Sequence, residues 1–278
     1  MIDLHLHTYY SDGTLSPEEI VKRAKKRGVT TIAVTDHDGI NGVSEALIAG
    51  MEYGINVIPG IEFSTGMNEV HLEYDIFMHI LGYGIDINNE NLNQVIEEIR
   101  KKREERNAKL LNALNTIGYK ITKEDLYQRQ GQDYIGKPNF ALAMVKKGYV
   151  SCPKEAFTPG KYLRHPEVRK VHREKVHVQK AISLIRNAGG KAVLAHPFKI
   201  AFLRNEKEGF YERLEDLLDQ LQGWGLSGME CYYSSHDPEQ ISKLLEIAER
   251  RDLIVTFGSD FHGPEFDPKL DIGVVEKN

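Results

Sequence analysis

Short apolar strands alternate with helices over residues 1–90 and again over residues 177–278, and this alternation constrains the fold more than any other feature. The first helix has a clear start, because Ser16 suits the N-cap, Pro17 suits the first turn and Glu19 stands at the capping-box position. Repeated βα units predict a mainly parallel sheet, either open or closed into a barrel. The strands are predicted at residues 2–6, 31–35, 55–58, 61–64, 75–83, 191–195, 228–232 and 253–257.

A long helical stretch separates the two regions. Residues 91–117 are highly charged and carry apolar side chains at helical spacing, which predicts an amphipathic helix. Within it, the charged run at residues 100–106 is interpreted as a solvated helix face, because acidic residues interrupt its lysines and arginines. We therefore predict a discontinuous domain of residues 1–90 and 177–278, with residues 91–176 forming an inserted, mainly helical subdomain.

Histidines and carboxylates recur at or near the ends of six predicted strands. A closed barrel brings the carboxyl ends of its strands into one ring, whereas an open sheet spreads them along a line. The recurrence therefore favours a barrel, of eight strands or fewer, with all of these side chains at one end. They are His5, His7, Asp12, His37, Glu62, His79, His196, Asp260 and His262.

These side chains have the chemistry of a metal site. His5 and His7 are separated by one leucine, so both imidazoles lie on the same face of the strand. Imidazole and carboxylate donors without thiolate suit manganese, zinc or iron and argue against a magnesium-only site. Nine candidate ligands are too many for one ion, so we predict two or three divalent ions, with one carboxylate, preferably Glu62, bridging them. Three divalent ions would carry six positive charges against the three negative charges of Asp12, Glu62 and Asp260. The surplus of about three positive charges suits a phosphate dianion plus a hydroxide.

Composition and motifs argue against several other kinds of protein. The formal net charge of −5 does not indicate a broadly basic surface, so no stable binding of duplex nucleic acid is expected. Cys152 and Cys231 are too few and too far apart for a disulfide framework or a CxxC zinc site, and we expect two reduced, partly buried thiols. The chain shows no secretory signal, no membrane-length apolar run, no P-loop and no dinucleotide fingerprint, so a cytoplasmic location is expected.

Several motifs are similar to those of a known family, namely H-L-H, T-D-H, G-I-E, A-H-P and G-S-D-F-H. Together they resemble the PHP (polymerase and histidinol phosphatase) superfamily. The segments D-L-H-L-H-T-Y-Y-S-D-G-T, H-I-L-G-Y-G-I-D and Y-Y-S-S-H resemble stand-alone members that act on nucleoside 3′,5′-bisphosphates, some of which also trim short RNA from the 5′ end. The resemblance implies an α/β fold, a distorted (β/α)7 TIM-like barrel with a trinuclear site, manganese as the first expectation, and an inserted subdomain that covers the active site.

The resemblance also assigns the ligands to three ions. The first set is His5, His7, Glu62 and Asp260. The second set is Glu62, His79 and His196, and the third is Asp12, His37 and His262. His79 is preferred to His71 because H-I-L-G matches the family pattern and H-L-E-Y does not. The residues expected to take part in catalysis are Asp12, His37, Glu62, His196, Asp260 and His262.

Substrate-binding residues are expected at four further positions: Lys137, Asn139, Lys199 and His236. The two lysines are candidates for a distal phosphate, and His236 is a candidate general acid for the leaving oxygen, with metal-bound water as the alternative. Relatives often have Arg-Pro-His where this chain has Lys-Pro-Asn at residues 137–139, and the chain departs again at residues 164–177, so the insertion leaves the exact substrate open. Phe198 is interpreted as packing rather than base stacking.

The sequence therefore predicts a metal-dependent phosphoesterase that hydrolyses a phosphomonoester of a nucleoside 3′,5′-bisphosphate with a metal-bound hydroxide, and short RNA is a second expected substrate. Two enzymatic alternatives remain open. One is a phosphatase for another small ester such as histidinol phosphate, and the other is a metal-dependent amidohydrolase. A metal-stabilised accessory module without turnover is the non-enzymatic alternative, and the nine filled ligand positions argue against it.

Overall fold

Seven strands follow one another around a nearly closed sheet in the computed structural model, which describes residues 1–67, 76–127, 132, 134–172, 175–204 and 209–273. The strands are β1 (Ile2–Leu6), β2 (Thr31–Val34), β3 (Asn56–Met67), β4 (Ile76–Tyr83), β5 (Val176–His177), β6 (Lys191–Leu194), β7 (Gly228–Tyr233) and β8 (Ile254–Gly258). The order around the sheet is β1-β2-β3-β4-β6-β7-β8, and the short β5 pairs with β3 outside this path.

The sheet closes where the chain after β8 meets β1. Leu6 forms a parallel bridge with Phe261. The His7 N–H donates to the Phe261 carbonyl oxygen at 3.1 Å, and the Asp260 N–H donates to the His5 carbonyl oxygen at 2.9 Å. The predicted TIM-like barrel is therefore confirmed in distorted form, and its closure places Asp260 directly beside the first strand.

One strand departs from the parallel pattern. β4 is antiparallel to both β3 and β6, while the other neighbouring pairs in the path are parallel. His79 pairs with Ser64 of β3 and so lies in the first half of β4, not at its carboxyl end. The expectation that site residues lie at or near the carboxyl ends of strands is therefore wrong for His79. It failed because β4 runs antiparallel to its neighbours, and the sequence of a strand does not specify its direction in the sheet.

β3 is longer than either strand predicted in its place. Its residues 56–59 pair with β2, and its residues 60–67 pair with β4. The change of partner falls at Pro59, which has no N–H to contribute to a ladder. The two short strands predicted on either side of Pro59 are therefore one strand, and Glu62 lies near its middle.

The helices pack outside the sheet and within the inserted segment. Ser16 and Glu19 form the predicted capping box of the first helix, since the Glu19 N–H donates to Ser16 Oγ at 3.1 Å and the Ser16 N–H donates to the Glu19 carboxylate at 2.7 Å. Both cysteines are free, with Cys152 exposed and Cys231 buried. Within the described residues, no helix has the length and apolar character needed to cross a membrane. The helices are α1 (Pro17–Lys26), α2 (Val43–Tyr53), α3 (Glu90–Thr116), α4 (Lys137–Lys146), α5 (Pro166–Arg169), α6 (Val178–Asn187), α7 (Ala201–Arg204), α8 (Phe210–Gly223) and α9 (Pro238–Arg250).

The described part of residues 91–176, called the inserted segment below, contains a second hydrophobic cluster. α3 begins in the barrel core, where Leu92 and Val95 pack, and its last turns supply Leu110 and Leu114 to this second cluster. The remaining buried members of the second cluster all come from residues 121–168. With 27 residues, α3 is about 40 Å long, so one helix connects the barrel core to the second cluster.

The charged run at residues 100–106 is not wholly solvated. Arg103 and Arg106 are only 5% and 7% exposed. They share a helix face with the buried Ile99 and Leu110, because these four positions recur at helical spacing. The prediction of a solvated face is therefore wrong for these two arginines.

Candidate active site

The two histidines of β1 converge on the same two carboxylates. Nε2 of His5 lies 3.3 Å from a Glu62 oxygen and 3.3 Å from an Asp260 oxygen. Nε2 of His7 lies 3.3 Å from the other Glu62 oxygen and 3.1 Å from the same Asp260 oxygen. Each of the four residues offers a ligand atom within 4.8 Å of the others. They form the first ligand set that the resemblance implies.

Glu62 lies at the centre of the cluster and is fully buried. Its Oε2 lies 2.8 Å from His37 Nδ1, and its Oε1 lies 3.0 Å from His79 Nδ1 and 3.1 Å from His196 Nε2. A parallel bridge between His37 and Glu62 fixes one of these contacts, and the β3–β4 pairing places His79. A carboxylate with imidazoles on both oxygens has the geometry expected of a bridging ligand.

Asp12 forms a further group with three histidines. Its Oδ1 lies 3.3 Å from His262 Nε2 and 3.8 Å from His7 Nδ1, and its Oδ2 lies 3.8 Å from His37 Nε2. This group contains the expected third ligand set and adds His7 to it. The structure thus brings all nine predicted ligands into one connected cluster, while His71 lies outside the described residues.

Several buried ligand atoms form no well-aligned hydrogen bond within the described residues, although some of them, such as His37 Nδ1 and Glu62 Oε2, lie as close to one another as 2.8 Å. Leaving such an atom unpaired costs about 1–3 kcal/mol, so a buried group of them requires a compensating interaction. Nitrogen and carboxylate oxygen atoms that face one another are the donor set that manganese, zinc and iron accept. The residues therefore fit divalent ions. The unpaired atoms of the cluster are His5 Nε2, His7 Nε2, Asp12 Oδ1, His37 Nδ1, Glu62 Oε2 and His196 Nδ1.

The electrostatics of the cluster favour ionised carboxylates. Burial alone would raise the pKa of Glu62, but the charges of His37 and His5 hold its pKa well below its usual range. Burial would also raise the pKa of Asp260, but nearby histidine charges, led by that of His5, hold it well below its usual range. In His79 burial prevails and lowers the pKa to about 4, which keeps that imidazole neutral and able to bind a cation.

Glu230 of β7 positions two of the candidate ligands and was not among the residues predicted from the sequence. It is fully buried, with Oε1 at 2.9 Å from His5 Nδ1 and Oε2 accepting the His196 backbone N–H at 2.7 Å. A carboxylate only accepts, so His5 Nδ1 carries a hydrogen, and in the neutral, cation-binding form of the ring the Nε2 lone pair faces Glu62 and Asp260. A lone glutamate among the apolar and aromatic residues of a buried strand was the available signal.

His7 is held in a similar way through a hydroxyl group. Its Nδ1 lies 3.4 Å from Ser11 Oγ, and Ser11 Oγ donates to Asp36 at 2.5 Å. Asp36 is buried and also accepts the Thr8 N–H at 2.8 Å. Both imidazoles of the H-L-H motif therefore present Nε2 to the cluster because their Nδ1 atoms are occupied.

A buried ion pair connects α3 to the loop that carries His37. Arg103 pairs with Asp38, whose Oδ1 also accepts the Ser64 N–H at 2.8 Å. The guanidinium of Arg103 lies 4.1 Å from the centre of the Tyr134 ring, and that ring stacks near His37. Asp38 has a positive φ of 52°, which is uncommon outside glycine and occurs at functional sites. This wall of the site is therefore formed jointly by the barrel and the inserted segment.

A cleft of about 480 Å³ opens beside the cluster. Its lining combines candidate metal ligands with cationic side chains of the inserted segment. Burial and then the charge of Arg106 lower the pKa of Lys137, which marks a crowded cationic wall. The lining residues are Asp12, His37, Ser64, Phe77, His79, Arg103, Arg106, Tyr134, Lys137, Val171, His172 and Lys175.

The other substrate candidates differ in their placement. Asn139 is buried at the start of α4, where its Oδ1 accepts the Gly136 N–H at 2.7 Å, so that oxygen already has a partner. Lys199 Nζ lies 5.6 Å from the centre of the Tyr233 ring. Among the described residues, only Lys137 of the four substrate candidates lines the cleft.

His236 is held through Nδ1, and burial opposes the protonated form of the ring that a general acid requires. Its Nδ1 lies 2.9 Å from the Cys231 carbonyl oxygen, which only accepts, so the neutral ring carries its hydrogen on Nδ1. The buried Nε2 then offers a lone pair, and burial lowers the pKa of the ring. Phe198, interpreted as packing, stacks on Phe210 at 4.3 Å and contacts the His236 ring.

Comparison with known proteins gives a consistent result. The chain matches the PHP domain family model over residues 3–230. It is 33% identical over 262 residues to a 5′-3′ exoribonuclease of Haemophilus influenzae, covering 94% of this chain and 90% of that protein. It is 31% identical over 264 residues to a 3′,5′-nucleoside bisphosphate phosphatase of Chromobacterium violaceum, covering 95% and 87%.

Two solved structures are similar over nearly the whole chain. An amidohydrolase from Chromobacterium violaceum, solved with bound sulfate and no metal, has a TM-score of 0.83 at 30% identity and covers 99% of this chain and 91% of its own. A Bifidobacterium adolescentis protein described as a candidate metal-dependent phosphoesterase has a TM-score of 0.82 at 28% identity, covering 100% and 92%.

A barrel that gathers histidines and carboxylates beside a cationic cleft defines a class of hydrolases that use metal ions on anionic esters. The chain belongs to the PHP domain family. It is a metal-dependent phosphoester hydrolase.

Proposed function

We propose that the protein removes a phosphate from a nucleoside 3′,5′-bisphosphate and also trims short RNA from its 5′ end. The observation that supports this most is the composition of the cleft, which is lined by candidate metal ligands together with Arg106, Lys137 and Lys175. A nucleoside bisphosphate and an RNA chain both carry phosphates separated by a sugar. One phosphate at the ligand cluster and the next at the cationic wall would use both parts of this lining.

Two or three divalent ions are part of this proposal, with manganese as the first choice and zinc or iron as alternatives. When bound, such ions lower the pKa of a coordinated water and offset negative charge on the phosphate. The surrounding imidazoles keep Glu62 and Asp260 ionised, and Glu230 keeps the His5 lone pair directed at the same point. The residues proposed to hold the ions are His5, His7, Asp12, His37, Glu62, His79, His196, Asp260 and His262.

We further propose that residues 91–176 act as a subdomain that covers the site. This segment has its own hydrophobic cluster, and it supplies Arg106 and Lys137 to the cleft. A guanidinium and an ammonium facing the cleft bind the phosphate that is not cleaved and fix the substrate's direction. Nucleotides and RNA occur inside cells, so a cytoplasmic location forms part of the proposal.

The cationic wall distinguishes this function from the alternatives. A neutral amide would gain nothing from Arg106 and Lys137, so the cleft favours an anionic ester over the amide of an amidohydrolase. A small ester such as histidinol phosphate has one phosphate and would leave one part of the lining unused.

A substrate panel tests the proposal. Purified protein loaded with manganese is incubated with nucleoside 3′,5′-bisphosphates, mononucleotides, histidinol phosphate, 5′-phosphorylated RNA and simple amides, with and without a chelator. We expect turnover of the bisphosphates and RNA that the chelator abolishes. The Lys137→Gln variant should raise KM for the bisphosphate more than it lowers kcat. Preference for mononucleotides or histidinol phosphate would contradict the substrate, and turnover of amides alone would contradict the reaction class.

A further inference from the structure

Two exposed arginines extend the cationic wall beyond the cleft. Arg164 and Arg169 lie before and at the end of α5, and both are exposed. Each is close enough to Lys137 to contribute to the lowering of its pKa, behind burial and Arg106. Neither arginine has a carboxylate partner within the described residues, whereas the adjacent Lys170 pairs with Glu167 at 2.6 Å.

The path from the cleft to these arginines is continuous along the chain. Val171 and His172 line the cleft and follow Arg169 within three residues. Val168 anchors α5 in the hydrophobic cluster of the inserted segment, being 1% exposed. The arginines on either side of this anchor therefore stand on a fixed rim of the cleft.

The amount of positive charge exceeds what a bisphosphate needs. Arg106 and Lys137 together match the phosphate dianion that is not cleaved, and the only carboxylate among the described lining residues is the candidate ligand Asp12. Arg164 and Arg169 add two charges beyond the cationic side chains that line the cleft. Arg164 ends the turn before α5 and Arg169 ends α5, with the extended residue His165 between these elements, so the two charges stand apart and suit successive anionic groups better than a single one.

We propose that Arg164 and Arg169 bind backbone phosphates of a single-stranded oligoribonucleotide whose 5′ end lies at the metal ligands. This rests on the proposed function and assigns the longer substrate its own contacts. A chain of phosphates crossing the rim would pass from Lys137 to the two arginines.

The test compares a double variant with a matched control. The Arg164→Gln/Arg169→Gln variant removes both charges from exposed positions, and Lys170→Gln removes a neighbouring charge that is already paired. Binding of a labelled, 5′-phosphorylated eight-nucleotide RNA is measured by fluorescence anisotropy in chelator, over a range of salt concentrations. Turnover of the same RNA and of a nucleoside 3′,5′-bisphosphate is measured with manganese.

We expect the double variant to bind the RNA at least tenfold more weakly and to lower the salt slope of log K by about 1.4, since each phosphate contact in a single strand contributes about 0.7. Its kcat/KM for the bisphosphate should change less than twofold, and Lys170→Gln should behave as the unmodified protein. Equal loss for the bisphosphate and the RNA, equal loss in Lys170→Gln, or unchanged RNA binding would each overturn the proposal.

A third substrate separates RNA from a small polyanion. A nucleoside 3′-phosphate 5′-diphosphate carries extra charge without a second nucleotide. If the double variant loses turnover of this compound but keeps turnover of RNA, the assignment to RNA is overturned. If the unmodified protein turns over none of the substrates, the proposed function fails, while the anisotropy measurement still reports on the rim.

Discussion

Replacing Glu230 should loosen the metal site without dismantling the barrel. The carboxylate makes two buried hydrogen bonds, to His5 Nδ1 at 2.9 Å and to the His196 N–H at 2.7 Å. Glu230→Gln keeps the shape but offers one acceptor oxygen in place of two, so one buried donor loses its partner at a cost of about 1–3 kcal/mol. Loss of such an outer contact typically weakens metal binding by about 10–100-fold, which corresponds to roughly 1.4–2.8 kcal/mol.

The assay is calorimetric titration of the metal-free protein with manganese, together with nitrogen NMR of the histidines. We expect a weaker Kd in Glu230→Gln, a larger effect in Glu230→Ala, and loss of the single Nδ1–H tautomer of His5. Glu239→Gln, at an exposed position of α9, is the matched control and should leave Kd unchanged. If Glu230→Ala lowers thermal stability but leaves both Kd and the His5 tautomer unchanged, the carboxylate is structural only and the reasoning is refuted.

Three further predictions follow from buried or strained contacts. Arg103→Leu leaves the Asp38 carboxylate buried without its cation, so the free energy of unfolding should fall by about 3–5 kcal/mol in denaturant titrations; a loss below 1 kcal/mol would contradict the pairing. Gly258→Ala places a new Cβ 2.3 Å from the Glu230 carboxylate, and we expect about 1–3 kcal/mol of destabilisation with weaker manganese binding; unchanged binding would count against the tight approach. For Asp271, burial raises the pKa but Arg23 outweighs it and lowers the pKa. Its stabilisation is therefore present above the unfolded pKa near 4 and is lost as the pH falls through the lower folded pKa. Arg23→Gln should flatten this acid limb of stability against pH, and an unchanged limb would contradict the assignment.

The parts of the fold that depend on local chemistry could be predicted from the sequence. The Ser16–Glu19 capping box and the shared face of His5 and His7 require only residues that are near one another in the chain. The antiparallel direction of β4 could not be predicted in this way, because strand direction is decided by the partners a strand finds. The same limit applies to the joining of two short strands through Pro59.

The candidate site shows the same division. The nine candidate ligands were predicted because their residue types recur near strand ends, and the structure brings them together. Glu230 was missed because a residue that orients another ligand has no motif of its own, although a buried acid in a β-strand is unusual. The burial of Arg103 and Arg106 was not predicted, because the prediction relied on charge composition and not on their helical spacing with Ile99 and Leu110.

Anomalous diffraction from manganese-soaked crystals tests the central claim most directly. We expect two or three peaks inside the cluster, one of them within coordination distance of His5, His7, Glu62 and Asp260, and all of them absent after soaking with chelator. Glu62 should contact more than one peak. An absence of peaks in the cluster, or peaks confined to surface carboxylates, would contradict the account of these residues as a metal site.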